Sequence, residues 1–192
     1  MNSQTKRLFV AVDLPQEIKQ ELELLQNELR KFARDVKWVR IEGIHLTLKF
    51  FGYVDATKVP AIKEALQPVA DTSTAFSVKV QGCGFFPNSR RPNVLWCGII
   101  SPELLVLQEK VEESMARLNF EKESRAFAPH LTLARFRDPR GLLLLAQNIE
   151  TRRETTVGEF SARSLCLYES ILHREGAEYH VLESFPLRDV SE

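Results

Sequence analysis

His45-Leu46-Thr47-Leu48 and His130-Leu131-Thr132-Leu133 are one tetrapeptide written twice, 85 residues apart. The chain has four histidines and nine threonines among 192 residues, so chance alone would give a His-x-Thr sequence only about 0.2 times. Side chains on a strand alternate between its two faces, so each histidine shares a face with its threonine while the leucines occupy the other. We therefore predict two matching strands, each with a buried leucine face and an accessible His/Thr face.

The surroundings of the tetrapeptide are repeated as well. Pro15 and Pro102, which precede an amphipathic helix in each half, are 87 residues apart, and Ile18 and Leu104 are 86 apart. A period of about 86 residues is too long for a solenoid repeat. It favours two similar halves, each of which packs helices against an antiparallel sheet. We expect an α+β fold in which residues 1–192 form a single bilobal domain with pseudo-twofold symmetry and a cleft between the lobes.

Hydrophobic periodicity predicts where the elements lie. The predicted strands cover residues 8–12, 36–40, 44–51, 76–86, 94–100, 130–136, 160–172 and 179–187. The predicted helices cover residues 18–32, 56–69, 104–118 and 142–149.

Composition and charge narrow the function. Lysine plus arginine and aspartate plus glutamate both number 26, so the formal net charge is zero, which argues against attachment to nucleic acid or membrane by bulk charge. Cys83, Cys97 and Cys166 stand among apolar neighbours without metal-site spacing, which predicts buried thiols in a reducing compartment. No apolar run is long enough for a membrane span. We expect a cytoplasmic protein.

Two imidazoles and two hydroxyls that face each other across a cleft suit phosphodiester chemistry. Imidazole titrates near pH 6.5, so one ring can be neutral and accept a proton while the other is charged and donates one. Each such transfer is typically worth a factor of about 10² to 10⁴ in rate. Threonine hydroxyls can donate hydrogen bonds to the phosphate oxygens.

Three other interpretations compete with this one. A lone histidine or threonine on a strand is usually structural, although chance does not explain the repetition. A metal-dependent phosphodiesterase would use the histidines as ligands, together with carboxylates. A non-catalytic RNA-end binder would use arginines such as Arg90 and Arg137, and would have no need for two matched imidazoles. His173 and His180 lack the pattern, and we predict that they are surface or turn residues.

Longer stretches around both motifs carry a family resemblance. They are Arg7–Pro15, Trp38–Arg40, His45–Phe50, Phe86-Pro87, Arg91–Trp96, Pro129–Arg135 and Leu167–Ser170. Through them nearly the whole chain resembles the two-histidine (2H) phosphoesterases, and specifically the RNA 2′,3′-cyclic phosphodiesterases once named 2′-5′ RNA ligases.

The resemblance implies a hydrolase that opens the 2′,3′-cyclic phosphate at an RNA 3′ end and leaves a 2′-phosphomonoester, without metal or cofactor. It assigns His45 as the proton donor, His130 as the proton acceptor, and Thr47 and Thr132 as phosphate-binding residues. Attack by an RNA 5′-hydroxyl in place of water would give the reverse joining, without ATP. The expected partners are RNA 3′ ends, tRNA halves among them, or small cyclic nucleotides, and we expect a monomer.

Four further residues are candidates for nucleotide contact. Arg135 looks like the family's nucleotide-contacting arginine, but strict alternation puts it on the leucine face unless the strand twists or bulges. Lys49 falls in phase with His45 and could add positive charge near the phosphate. Arg7 and Phe9 are in phase with each other on the first strand and could contact phosphate and base.

Overall fold

The computed structural model describes residues 4–33, 36–138, 140–174 and 176–189, and this part of the chain forms nine strands and four α-helices. The strands are β1 (Thr5–Val12), β2 (Lys37–Trp38), β3 (Leu46–Asp55), β4 (Phe76–Phe86), β5 (Val94–Ile100), β6 (His130–Arg135), β7 (Thr156–Ala162), β8 (Ser164–His173) and β9 (Gly176–Pro186). The helices are α1 (Gln16–Leu29), α2 (Val59–Asp71), α3 (Pro102–Ala116) and α4 (Leu143–Glu150). The predicted α+β class is confirmed.

The strands form two antiparallel sheets, and the repeated tetrapeptide contributes one strand to each. The first sheet has the order β3-β1-β8-β9, and the second has the order β2-β6-β5-β4-β7. Strand β3 follows His45 and β6 begins at His130. Cα atoms of β3 and β6 approach within 8 Å of one another. The two strands that carry the motifs therefore meet where the sheets come together.

The helices cross between the halves of the chain. Helix α1 follows β1 of the first sheet but packs against β7 of the second, whereas α3 follows β5 of the second sheet and packs against β3 of the first. We call the four-stranded sheet with α2 and α3 the first lobe, and the five-stranded sheet with α1 and α4 the second. One hydrophobic cluster contains Leu46 and Leu131, the first leucine of each motif, and both are fully buried. The halves are thus interleaved, which ties the lobes together.

A β-bulge falls on the last residue of each motif. Thr47 lies opposite Ala11 and Lys49 opposite Val10, so Leu48 has no partner on β1. In the same way Leu133 has no partner on β5, because Thr132 lies opposite Trp96 and Ala134 opposite Leu95. A bulge inserts one residue into one strand of a pair, so the side chains immediately beyond it change face.

Two element predictions are corrected by the structure. The predicted strand over residues 160–172 is two strands, because β7 belongs to the second sheet and β8 to the first, and the chain passes between them at Arg163. The predicted strand over residues 36–40 is only Lys37–Trp38, followed by a 3₁₀ turn over Ile41–Gly43.

The three cysteines are buried and carry free thiols, as predicted. None of the helices in the described ranges combines the length and the apolar character that crossing a bilayer would require.

Candidate active site

His45 lies one residue before β3 and its ring is enclosed by aromatic side chains. Phe9 stacks on the ring at 4.4 Å between centroids, and Tyr179 meets it edge-on at 4.9 Å. Burial lowers the pKa of His45 from 6.5 to about 4, although a hydrogen bond from the ring to the backbone of Gly43 opposes this shift. Desolvation disfavours the charged form of an imidazole, so the ring is neutral near pH 7 in the free protein.

His130 begins β6 and makes the corresponding backbone contact. Its Nδ1 lies 2.7 Å from the carbonyl oxygen of Ala128, and Phe86 meets its ring edge-on at 5.0 Å. Because a carbonyl only accepts, Nδ1 carries the hydrogen and Nε2 of the neutral ring has a free lone pair. Gly43 and Ala128 both stand two residues before their histidine. Both imidazoles are therefore held by the same local device.

The two threonines share a sheet face with their histidines. Thr132 lies opposite Trp96 and His130 opposite Gly98, which are alternate residues of β5 and so point the same way. Thr47 lies opposite Ala11, which shares a face of β1 with Phe9, the ring that stacks on His45. Both hydroxyl-bearing side chains are partly exposed, whereas the leucines beside them are buried.

The bulge at Leu133 decides where Arg135 points. Arg135 lies opposite Val94, two residues from Trp96 on β5, and so shares the face of Thr132. The condition set from the sequence, that Arg135 reaches the cleft only if the strand bulges, is met. Its side chain is exposed.

The matching bulge at Leu48 has the opposite effect on Lys49, and the expectation that Lys49 adds charge near the phosphate is wrong. Lys49 is turned to the core face, where it is 6% exposed. Its ammonium lies 2.6 Å from a carboxylate oxygen of Glu112 and 2.8 Å from the carbonyl oxygen of Glu121. Strict alternation failed here because it ignored the inserted residue.

Phe50 takes the face that alternation assigned to Lys49. It lies opposite Phe9, its side chain is 51% exposed, and the Arg7 guanidinium lies 4.5 Å above its ring. Arg7 also donates to the hydroxyl of Ser170 at 2.7 Å. Arg7 and Phe9 thus share one face of β1, as their phase predicted, and His45 stacks on Phe9 at that face. Phe50 was not predicted from the sequence, because only the position of the bulge assigns it to this face.

A close approach between Trp96 and Gly84, which was not predicted from the sequence, shapes the surface of the second lobe beside His130. The Trp96 ring lies over Gly84, where an added Cβ would stand 2.4 Å from it. Phe86 packs on the same ring at 5.1 Å between centroids. Glycine at position 84 lets the indole lie flat on the sheet beside His130.

A groove of about 780 Å³ opens next to His45. Gly43 and Tyr179, which both contact His45, line the groove together with Arg40, Arg174 and acidic side chains. His173 and His180 are exposed and both contact Glu178 at 3.1 Å, in agreement with their prediction as surface residues. Within the described ranges no three His, Cys, Asp or Glu side chains are arranged to hold a metal ion.

Comparison with known proteins decides the family. A model of the LigT-like phosphoesterases matches residues 12–96 and residues 99–179, with one His-x-Thr motif in each stretch. The chain belongs to this family. The two matched stretches also coincide with the two halves that the sequence repeat defines.

Named relatives of the LigT-like phosphoesterase family resemble the chain over most of its length. The RNA 2′,3′-cyclic phosphodiesterase of Methanocaldococcus jannaschii is 32% identical and that of Archaeoglobus fulgidus 34%, each covering 93% of this chain and 99% of the relative. A crystal structure from Thermus thermophilus has a TM-score of 0.81 at 30% identity and covers 95% of this chain and 98% of its own. Escherichia coli LigT complexed with phosphate has a TM-score of 0.72 at 25% identity and covers 97% and 99%.

Proposed function

We propose that this protein hydrolyses 2′,3′-cyclic phosphates at RNA 3′ ends to 2′-phosphomonoesters. The observation that carries the proposal is the matched pair of His-x-Thr motifs, one in each sheet, on strands β3 and β6 whose Cα atoms approach within 8 Å of one another. Relatives that carry the name of this activity support the substrate class. The structure of Escherichia coli LigT complexed with phosphate supports phosphate as a ligand of a protein with this fold.

The proposed reaction is in-line attack of water on phosphorus. His130, whose Nε2 lone pair is free when its Nδ1 donates to Ala128, takes the proton of the water. His45 gives a proton to the departing 3′ oxygen, so the 3′-O–P bond breaks and the phosphate stays on the 2′ oxygen. The roles of the two rings follow the family resemblance.

The low pKa of His45 requires that its proton arrive with the substrate. A ring with a pKa of about 4 is almost entirely neutral at pH 7, and a neutral ring cannot serve as the acid. The anionic phosphodiester favours the imidazolium beside it. In this proposal, substrate binding converts His45 from its resting neutral form into the proton donor.

The threonines and Arg135 would hold the phosphate. Thr47 and Thr132 share their sheet faces with the two histidines, and hydroxyl donors stabilise charge that builds on the non-bridging oxygens. Arg135 is an exposed cation on the face of Thr132, where its guanidinium can pair with phosphate in two hydrogen bonds. Arg7 would add a second cation on the face of His45, whereas Phe9 is 2% exposed and supports the His45 ring from beneath.

The same site supports joining as well as hydrolysis. An RNA 5′-hydroxyl in place of water would be deprotonated by His130 and would form a 2′-5′ bond without ATP. In this proposal RNA ends such as tRNA halves would lie in the groove beside His45, along Arg40 and Arg174, and small cyclic nucleotides would occupy only its part next to Gly43 and Tyr179. We propose that the protein acts as a monomer.

The decisive experiment is incubation with an RNA that ends in a 2′,3′-cyclic phosphate, with EDTA present. We expect a 2′-phosphomonoester, and we expect His45→Ala and His130→Ala each to lower the rate at least about a hundredfold. His180→Ala is the matched control, since this exposed histidine lies outside the cleft. Loss of activity in EDTA that metal restores would favour a metal-dependent enzyme, and RNA affinity without turnover would favour an end-binding protein.

A further inference from the structure

Each of the two long helices that follow the first strand of a half carries one buried polar residue at the same position. Gln26 on α1 is 1% exposed and Glu112 on α3 is 7% exposed. They are 86 residues apart, like Ile18 and Leu104. Burying a polar group among leucines costs free energy unless it is hydrogen-bonded, so the partners of these two side chains indicate what they do.

Gln26 joins the approach to one motif to the strand of the other. Its Nε2 donates to the carbonyl oxygens of Val39 and Leu133, both at 3.0 Å, and the backbone N–H of Val39 donates to the same Leu133 oxygen at 2.9 Å. Val39 lies in the segment that leads to His45, and Leu133 is the bulged residue of the strand that carries His130. One amide group thus links the segment before the first motif to the strand of the second.

Glu112 makes the same connection in the other direction. Its carboxylate pairs with Lys49 at 2.6 Å and accepts from the backbone N–H of Glu123 at 3.4 Å, while Lys49 donates to the carbonyl oxygen of Glu121 at 2.8 Å. Lys49 follows the bulge on the strand of the first motif. Glu121 and Glu123 lie in the segment that leads to His130.

We propose that Gln26 and the Lys49–Glu112 pair are positioning residues that set the placement of His45 relative to His130. Each ties the segment before one histidine to the bulged strand that carries the other, so the two ties together fix both histidines. A buried ion pair is often no more stabilising than apolar residues of the same volume, so stability alone does not account for Lys49–Glu112. Placement does, because a misplacement of about 1 Å can cost about 10²-fold in rate.

The test, which rests on the proposed function, separates placement from stability. Gln26→Met fills the same space without a donor, and Lys49→Met with Glu112→Leu replaces the ion pair by apolar side chains. We expect kcat on an RNA with a cyclic phosphate end to fall at least about tenfold in both proteins, with KM within about threefold of wild type. The thermal midpoint of the Lys49→Met/Glu112→Leu protein should stay near or above that of wild type.

The chain offers matched controls for both changes. Gln20→Leu alters an exposed glutamine on the same helix, and Lys63→Met with Glu183→Leu removes a partly exposed ion pair; both should keep kcat. If the apolar pair does not fold, Glu112→Gln keeps the shape but replaces the charged acceptor of Lys49 by a weaker neutral one, and a reduced kcat at unchanged KM in that folded protein supports the proposal. Full kcat in the folded variants beside an active wild type would overturn it, whereas an inactive wild type would remove the proposed function and this inference with it.

Discussion

His45 should bind a proton when an anion enters the cleft, and this can be measured without turnover. Sulfate is a suitable probe because it is tetrahedral like phosphate and keeps its charge between pH 5 and pH 8. The perturbation is His45→Phe, which keeps a ring to stack on Phe9 but cannot be protonated. His130→Phe in the sister motif is the matched control.

The magnitude follows from the environment of His45. With a pKa of about 4, roughly 0.1% of the rings are charged at pH 7 in the free protein, and raising that pKa to about 7 requires about 4 kcal/mol. One unit charge about 4 Å from the ring supplies about 4 kcal/mol at an effective dielectric constant of 20. An anion within hydrogen-bond distance of the ring is therefore just sufficient to keep His45 protonated near pH 7.

The assay is calorimetric titration at pH 7 in buffers of different ionisation enthalpy, which gives the number of protons bound with sulfate. We expect wild type to take up about half a proton or more per sulfate, and its affinity to fall as pH rises. His45→Phe should lose the uptake, and His130→Phe should retain it. Sulfate binding without proton uptake, at an affinity independent of pH, would refute the conclusion that the anion loads His45 and would favour the reversed assignment of acid and base.

Three further outcomes are expected. Burial holds the pKa of His45 at about 4 in the folded protein, so below pH 6.5 the unfolded chain binds a proton at His45 that the folded protein does not. The free energy of unfolding should therefore drop by up to about 3 kcal/mol between pH 6.5 and pH 4, and urea titrations should show a smaller drop for His45→Phe. Arg135→Lys should raise KM for RNA about tenfold and change kcat less, because lysine cannot form the two-pronged pair with phosphate; unchanged KM would remove Arg135 from the site. Gly84→Ala places a Cβ against the Trp96 ring and should destabilise the protein by about 1–3 kcal/mol, visible as altered tryptophan fluorescence and a lower urea midpoint.

The motif strands could be predicted well from the sequence because the two copies of the tetrapeptide can be compared with each other. One His-x-Thr would have been ambiguous, but two at matching places predicted the duplicated fold and the face shared by His130 and Thr132. The same alternation failed four residues after the first histidine, at Lys49. A bulge depends on how neighbouring strands pair, and no composition or spacing around Leu48 indicates that it lacks a partner.

The exchange of helices between lobes was also beyond the sequence. Periodicity identified the apolar face of α1 through Ile18 and Leu29, but it cannot say which sheet covers that face. Gln26 is buried beside these apolar positions, but from the sequence of α1 alone a glutamine there is expected to face solvent. Its role becomes visible only when β6 lies against the helix.

The duplicated scaffold gives both imidazoles the same anchor, because His45 and His130 each hydrogen-bond to the backbone two residues earlier. The aromatic contacts of the two rings differ. Phe9 stacks on His45 and Tyr179 meets it edge-on, and burial lowers the pKa of His45 to about 4, whereas Phe86 meets His130 at an edge. Placement is therefore inherited from the repeat, while the low pKa of His45 comes from aromatic residues outside it, so replacing those aromatic neighbours by smaller side chains should raise the pKa of His45 toward its ordinary value and leave the backbone anchor intact.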